Sequence, residues 1–142
     1  MALDKILYTA QAKVSGGRRD GRIATQDGQL DTGLTMPREL GGAGGQGTNP
    51  EQLFAAGYAA CFLSALKFIG GKEGTPVSDD ATVEGKVGIG PVPTGFGLEV
   101  ALVVSLPGLS PEAAQALVDK AHAVCPYSNA TRGNIDVTLT LA

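Results

Sequence analysis

Residues 49–69 read NPEQLFAAGYAACFLSALKFI, and this stretch decides the fold. Asn49 is a favoured N-cap residue, Pro50 suits the first helical position because its missing N–H is not needed there, and Gln52 completes a weak capping box. The sequence therefore predicts a helix from about Pro50 to Ile69. Apolar residues occupy nearly every face of this helix, which indicates burial on several sides at the centre of the fold.

The segments on either side of this helix predict strands and a second helix. Alternating apolar residues predict a strand over residues 4–14, and runs at 22–26 and 30–36 flank the turn-forming pair Asp27-Gly28. After a loop at 38–47 and the central helix, strands are predicted at 82–89 and 96–106, then a helix from Ser110-Pro111 to Pro126 and a strand at 134–141. We expect an α+β fold with antiparallel pairing, in a single domain over residues 1–142.

Composition excludes several classes of partner. The net charge is -3, and no basic cluster is present that could neutralise a phosphate backbone, so nucleic acid is not an expected partner. The N-terminus lacks the basic start of a signal peptide, and no segment has eighteen or so unbroken apolar residues. We therefore expect a cytoplasmic protein without membrane insertion.

The chain has two cysteines, Cys61 and Cys125, which lie 64 residues apart. This spacing fits neither a Cys-x-x-Cys redox motif nor a zinc knuckle. In a reducing compartment both are expected as free thiols, either buried as small apolar residues or chemically reactive. A reactive thiolate needs a nearby cation, and the candidates are Arg18 and Arg19 in the glycine-flanked loop, held by Glu51.

Two other patterns suggest different chemistry. Residues 42–47 match the glycine pattern of dinucleotide-binding loops, but no parallel βαβ unit surrounds them, so a glycine-rich loop is the better interpretation. His122 lies three residues before Cys125 and could pair with a cysteine in an acyl hydrolase. One histidine and two distant cysteines do not indicate a metal site.

Three longer motifs resemble a known family. They are residues 45–61 (GQGTNPEQLFAAGYAAC), Val87-Gly88-Ile89-Gly90 and residues 124–134 (VCPYSNATRGN), and they follow a Gly-Gly-Arg-Arg-Asp-Gly loop. Together they resemble the organic hydroperoxide resistance proteins of the OsmC/Ohr family, and the resemblance runs nearly end to end. A non-catalytic OsmC-like protein that binds an apolar ligand, and the acyl hydrolase, stay open as alternatives.

The resemblance implies a thiol peroxidase that reduces alkyl and fatty-acid hydroperoxides. It implies that Cys61 is the peroxidatic cysteine, that Cys125 is the resolving cysteine, and that an arginine held by Glu51 stabilises the thiolate. It also implies an intertwined homodimer whose sheets wrap two central helices, and no bound cofactor or metal. We expect dihydrolipoamide, free or on a lipoylated protein, to reduce the oxidised cysteines and so regenerate the enzyme.

The arginine assignment is ambiguous because the family usually has one arginine where this chain has two. We expect Arg19, which abuts Asp20-Gly21, to have the catalytic role rather than Arg18. In a straight helix, Glu51 and Cys61 would lie about 15 Å apart along the axis. An arginine would then link them only through a kink near Gly57, an irregular helix start or a second subunit.

Overall fold

A computed structural model describes residues 2–142, which divide into two compact units. The first unit ends at Pro50, and the second spans Glu51–Ala142. The prediction of a single domain has no independent test here and stays a prediction.

The first unit contains a three-stranded antiparallel sheet. Its strands are β1 (Ala12–Ser15), β2 (Arg22–Thr25) and β3 (Asp31–Gly33), in that spatial order. The predicted Asp27-Gly28 turn is confirmed, because Gly28 has a φ of 74° and the Asp27 carboxylate accepts hydrogen bonds from the Thr25 hydroxyl and the Gln29 N–H. The predicted loop at 38–47 contains a short 3-10 turn, Arg38–Leu40.

The first strand is much shorter than the prediction of residues 4–14. Pairing in β1 is confined to Ala12–Ser15, and Ile6 and Tyr8, which the alternation placed on the buried face, are exposed, as are their neighbours Leu3 and Leu7. Alternation predicts a strand only where a neighbouring strand and a core face are available. Among the described residues of the chain, no strand pairs with residues 4–11.

The second unit is built around a long helix. This helix, α1, spans Pro50–Glu73, so its start is confirmed and its end lies four residues beyond the prediction. Gly74 follows it with a φ of 70°, the left-handed conformation that commonly ends helices. The remaining elements are β4 (Thr82–Val92), β5 (Gly95–Ser105), α2 (Pro111–Val124), α3 (Pro126–Thr131) and β6 (Val137–Leu141).

The sheet of the second unit is mixed, with strand order β4-β5-β6. A two-residue turn, Pro93-Thr94, joins β4 and β5, which pair in antiparallel fashion. The expectation of purely antiparallel pairing is wrong for β6, which runs parallel to β5. The reason is that α2 and α3 lie between these strands along the chain, and such a crossover returns the chain in the same direction.

The core of the second unit lies between α1, the sheet and α2. The side chains of Tyr58, Phe62 and Leu66 are fully buried, and they pack in one cluster with residues of β5 and α2. A Cβ atom on Gly85 of β4 would lie 2.7 Å from the carbonyl oxygen of Ala55. The backbone of β4 therefore lies close against α1 at Ala55, where a side chain larger than that of glycine would not fit on β4.

By length and composition alone, α1 is long and apolar enough to cross a membrane. The core helix of a soluble protein meets the same criterion, and one face of α1 forms the core of the second unit. The finding is therefore weak evidence for a membrane span.

Candidate thiol site

Cys61 and Cys125 are brought together by different elements. Cys61 is partly buried on α1, beside the core residue Phe62. Cys125 is fully buried at the corner between α2 and α3, where it ends one helix and precedes the other. Pro126 explains this corner, because proline has no N–H with which to continue α2 but is favoured at the first position of a new helix. The short helix α3 was not predicted.

The two sulfur atoms lie 3.6 Å apart, and both thiols are free. A disulfide requires a distance of about 2.05 Å, so the sulfurs need to approach by only about 1.5 Å. Small rotations of the two side chains supply such a movement. The distance favours direct disulfide formation within one chain, as the resolving role that the family resemblance implies for Cys125 requires.

Burial raises the pKa of the Cys61 thiol, and the neighbouring Cys125 raises it further. The backbone N–H of Tyr127 acts in the opposite direction, because its hydrogen bond stabilises the Cys61 thiolate and lowers the pKa. The raising effect of burial is the largest of these. A reactive thiolate at Cys61 therefore needs a further stabilising charge.

Three aromatic rings pack beside the thiols. The Tyr127 ring lies 5.6 Å from the Tyr58 ring and 6.1 Å from the Phe54 ring, measured between centroids. Tyr127 fits closely against α1, since a Cβ atom on Gly57 would lie 2.9 Å from the Tyr127 hydroxyl oxygen. Tyr127 stands two residues after Cys125, but the sequence pattern gave it no role.

A buried group of hydroxyls connects the three helices near the cysteines. The Ser128 hydroxyl is 2.8 Å from both the Tyr58 hydroxyl and the Nδ1 atom of His122, and Thr131 lies 3.1 Å from Tyr58. The side chains of Ser128 and Thr131 are buried. Sequence reasoning missed both of these residues. Their one sequence signal is proximity, since Ser128 stands three residues after Cys125 and Thr131 three residues after Ser128, and this spacing does not show that either hydroxyl is buried.

His122 is engaged in this group, with its ring directed at Ser128. In the described part of the chain, the hydrogen-bond partner of the His122 ring is the Ser128 hydroxyl and not a cysteine, so the structure gives no support to a Cys–His nucleophile pair. Burial lowers the pKa of His122, the positive charge of Arg132 lowers it further, and Asp119 raises it. Arg132 also donates hydrogen bonds to the His122 carbonyl oxygen and to Asn129 Oδ1, which ties the end of α2 to α3.

Arg18 and Arg19 lie in the turn between β1 and β2, in the first unit. Arg18 is partly buried, whereas Arg19 is exposed. Glu51 lies in the first turn of α1, and the helix runs without interruption past Cys61, so about 15 Å separates the two residues along the axis. Glu51 and Cys61 are therefore not in direct contact, and the roles of Arg19 and Glu51 stay predictions.

Comparison with known proteins identifies the family. The OsmC-like protein family matches residues 42–140. The chain is 58% identical to the organic hydroperoxide resistance protein of Xanthomonas axonopodis pv. citri, in a match that covers 98% of this chain and 97% of that protein. The structure of an organic hydroperoxide resistance protein from Legionella pneumophila is 52% identical, with a TM-score of 0.91, and covers 97% of this chain and 99% of that one.

A second solved structure agrees with this result. OhrB of Bacillus subtilis, also an organic hydroperoxide resistance protein, is 47% identical with a TM-score of 0.88, and the match covers 96% of this chain and 100% of that chain. The sequence-based resemblance is thus confirmed: the chain belongs to the organic hydroperoxide resistance proteins of the OsmC/Ohr family.

Proposed function

We propose that this protein is a thiol peroxidase that reduces organic hydroperoxides in the cytoplasm. The observation that carries the proposal is the 3.6 Å separation of Cys61 Sγ and Cys125 Sγ. Relatives named for organic hydroperoxide resistance support the class of substrate. Nearly adjacent free thiols, one partly exposed and one buried, suit a reaction in which the first is oxidised and the second forms a disulfide with it.

The reaction proceeds in two steps within the protein. The Cys61 thiolate attacks the distal oxygen of the hydroperoxide, the O–O bond breaks, and the departing alkoxide takes up a proton to become an alcohol. Cys61 is left as a sulfenic acid. The Cys125 sulfur then attacks the Cys61 sulfur, and the hydroxyl group leaves with the Cys125 proton as water, which yields the disulfide.

Thiolate formation at Cys61 is assigned to an arginine of the turn at 18–19, held by Glu51. Such a charge is required because burial raises the Cys61 pKa. An arginine stabilises the anion without titrating itself. The partial burial of Arg18 favours it over Arg19, since a desolvated charge acts more strongly than an exposed one.

Regeneration is assigned to a dihydrolipoyl dithiol, free or on a lipoylated protein. Cys125 is fully buried and Cys61 partly exposed, so an external thiolate reaches the disulfide at the Cys61 sulfur. Cys125 leaves as the thiol, and a mixed disulfide forms between Cys61 and the reductant. The second thiol of the dithiol then releases Cys61 and closes its own cyclic disulfide.

We also propose that the protein is a homodimer. The face of α1 opposite the core has a stripe of small exposed residues, Ala56, Ala60 and Ser64, at helical spacing. Such a stripe lets a second helix pack closely. The exposed apolar residues of segment 3–8 likewise suit a partner surface.

The proposal is tested by single-turnover oxidation followed by regeneration. The reduced protein is mixed with cumene hydroperoxide, and quenched samples are analysed by mass spectrometry for sulfenic acid and disulfide. We expect a disulfide between Cys61 and Cys125 and one equivalent of alcohol. Sustained turnover should be faster with NADH, lipoamide and dihydrolipoamide dehydrogenase than with NADPH, thioredoxin and thioredoxin reductase. A protein that forms neither oxidised species is not a thiol peroxidase.

A further inference from the structure

In the hydrogen-bonded group beside the thiols, one assignment of donor and acceptor satisfies all four bonds. The Thr131 hydroxyl lies 3.3 Å from the Ser128 carbonyl oxygen, which can only accept, so Thr131 donates its proton there. Thr131 Oγ1 must then accept from the Tyr58 hydroxyl. Because Tyr58 has used its only proton, it accepts from the Ser128 hydroxyl, and Ser128 accepts in turn from His122 Nδ1–H.

This chain of donors assigns the proton of His122 to Nδ1. The assignment holds for the neutral ring and for the imidazolium, because both can have a proton on that nitrogen. Burial and Arg132 lower the pKa of His122, which favours the neutral ring at neutral pH. His122 is the only histidine in the chain, so its ring can be observed without overlap.

The chain of donors joins the three helices that hold the cysteines. Tyr58 belongs to α1, one turn before Cys61; His122 belongs to the last turn of α2; and Ser128 and Thr131 belong to α3. Cys125 is the corner residue between α2 and α3. Its backbone makes one hydrogen bond to each side, to Ala121 and from Asn129. The Ser128 hydroxyl adds bonds from this corner to α1 and to α2.

We propose that His122, Ser128 and Tyr58 are positioning residues for the resolving cysteine. They hold the corner of α2 and α3 against α1, so that Cys125 Sγ stays close enough to attack the sulfenic acid on Cys61. The inference rests on the proposed thiol peroxidase function. It assigns to these residues the second step, disulfide formation, and not the attack on the hydroperoxide.

Loss of a positioning contact should slow disulfide formation strongly and leave the attack on the hydroperoxide nearly unchanged. A displacement of about 1 Å between reacting groups can slow a reaction by as much as a hundredfold. Ser128→Ala deletes the two hydrogen bonds of the Ser128 hydroxyl but leaves the backbone hydrogen bonds of the corner in place, so the corner shifts only in part and we expect disulfide formation to slow about tenfold. The rate constant for the reaction of Cys61 with the hydroperoxide should change less than about threefold.

The two steps are separated by rapid mixing of reduced protein with cumene hydroperoxide, followed by quenching with dimedone and a thiol-alkylating reagent. Mass spectrometry then gives the amounts of thiol, sulfenic acid and disulfide against time. Ser128→Ala should accumulate sulfenic acid that the wild type does not. Thr140→Ala is the control, because it removes a hydroxyl from an exposed residue of β6, outside this hydrogen-bonded group. Its two rate constants should equal those of the wild type.

Two variants of His122 test the positioning role independently, even if Ser128→Ala does not fold. His122→Asn keeps an N–H donor near the position of Nδ1 and should form the disulfide at nearly the wild-type rate. His122→Leu removes the donor and should be about tenfold slower. Nitrogen NMR of the wild type should show the Nδ1–H tautomer of neutral His122.

Several results would overturn the inference. They are unchanged disulfide formation in His122→Leu, an equal slowing of both steps in Ser128→Ala or His122→Leu, and an Nε2–H tautomer for the neutral ring. Failure of the proposed function itself is distinguishable, because the wild type would then form neither sulfenic acid nor disulfide. Thermal unfolding of each variant is recorded, and a variant that slows only disulfide formation at unchanged unfolding temperature supports positioning.

Discussion

Gly57 and Tyr127 are in contact across two helices: a Cβ atom added to Gly57 would lie 2.9 Å from the Tyr127 hydroxyl oxygen. Tyr127 also bears on the thiol chemistry, because its backbone N–H stabilises the Cys61 thiolate and lowers the pKa of Cys61. Glycine in the middle of a helix normally costs stability. Its presence here is explained by the space that the Tyr127 ring needs beside α1.

The first prediction compares two glycines of α1. Gly71→Ala should stabilise the protein by about 0.5–1 kcal/mol, because alanine favours the helix and nothing lies within 4 Å of the added Cβ. Gly57→Ala should not gain this stability, since the added methyl displaces Tyr127. The free energy of unfolding in urea measures both. Adding Tyr127→Phe to Gly57→Ala should recover part of the gain, and equal effects of the two single substitutions would contradict the prediction.

The second prediction separates the two cysteines. Cys61→Ser should abolish peroxidase turnover, because the attacking sulfur is lost. Cys125→Ser should still react once with hydroperoxide and then stop as a sulfenic acid or oxidise further, because only disulfide formation is lost. Dimedone labelling with mass spectrometry checks both variants. If no sulfenic acid forms in Cys125→Ser, the roles assigned to the two cysteines are wrong.

The sequence predicted the central helix well because its start has strong local signals at Asn49 and Pro50, and its apolar faces are visible without knowing the fold. The strand over 4–14 was predicted too long because alternation does not reveal whether a partner strand exists. The parallel direction of β6 depends on the crossover through α2 and α3, which local patterns do not contain. The family motifs pointed to Cys61 and Cys125.

Other parts of the site were beyond sequence reasoning. Ser128 and Thr131 are small polar residues of ordinary appearance, and only the fold shows that their hydroxyls are buried against Tyr58. His122 was noticed for its spacing from Cys125, but the spacing could not show that its ring meets Ser128. Contacts between helices distant in sequence decide these features.

The third prediction concerns the two arginines. The sequence favoured Arg19 by its place in the loop, whereas partial burial favours Arg18. We expect Arg18→Ala to slow thiolate attack on cumene hydroperoxide by more than Arg19→Ala does, because loss of the stabilising charge leaves the pKa of Cys61 raised by burial. Stopped-flow rate constants at pH 7 measure the ranking. A larger effect at Arg19 would restore the sequence-based assignment.

The fourth prediction is a pH dependence. The neighbouring Cys125 adds to the effect of burial in raising the pKa of Cys61, so Cys125→Ala should lower the Cys61 pKa. Alkylation by iodoacetamide requires the thiolate, and its rate therefore rises with pH up to the pKa. The alkylation profile of Cys61 should move to lower pH in Cys125→Ala relative to the reduced wild type, with mass spectrometry following the Cys61 peptide. A shift to higher pH would show that Cys125 stabilises the thiolate instead.

The last prediction is a preference for organic hydroperoxides over hydrogen peroxide. Phe54, Tyr58 and Tyr127 pack together beside the thiols, and an alkyl chain that reaches Cys61 against such rings buries apolar surface worth about 0.8 kcal/mol per methylene. Hydrogen peroxide has no alkyl group to bury. Because only part of this energy persists in the transition state, we expect a preference of at least about tenfold, equivalent to about 1.4 kcal/mol in the barrier.

Competition between linoleic acid hydroperoxide and hydrogen peroxide for the reduced protein measures this preference directly. Phe54→Ala should reduce the preference by lowering the rate with the fatty-acid hydroperoxide, while the rate with hydrogen peroxide changes little. Phe96→Ala is a suitable control, since Phe96 is an exposed aromatic residue at the start of β5, outside this aromatic group. Equal second-order rate constants for the two peroxides would remove the argument for an apolar substrate site and leave the thiol chemistry of Cys61 and Cys125 intact.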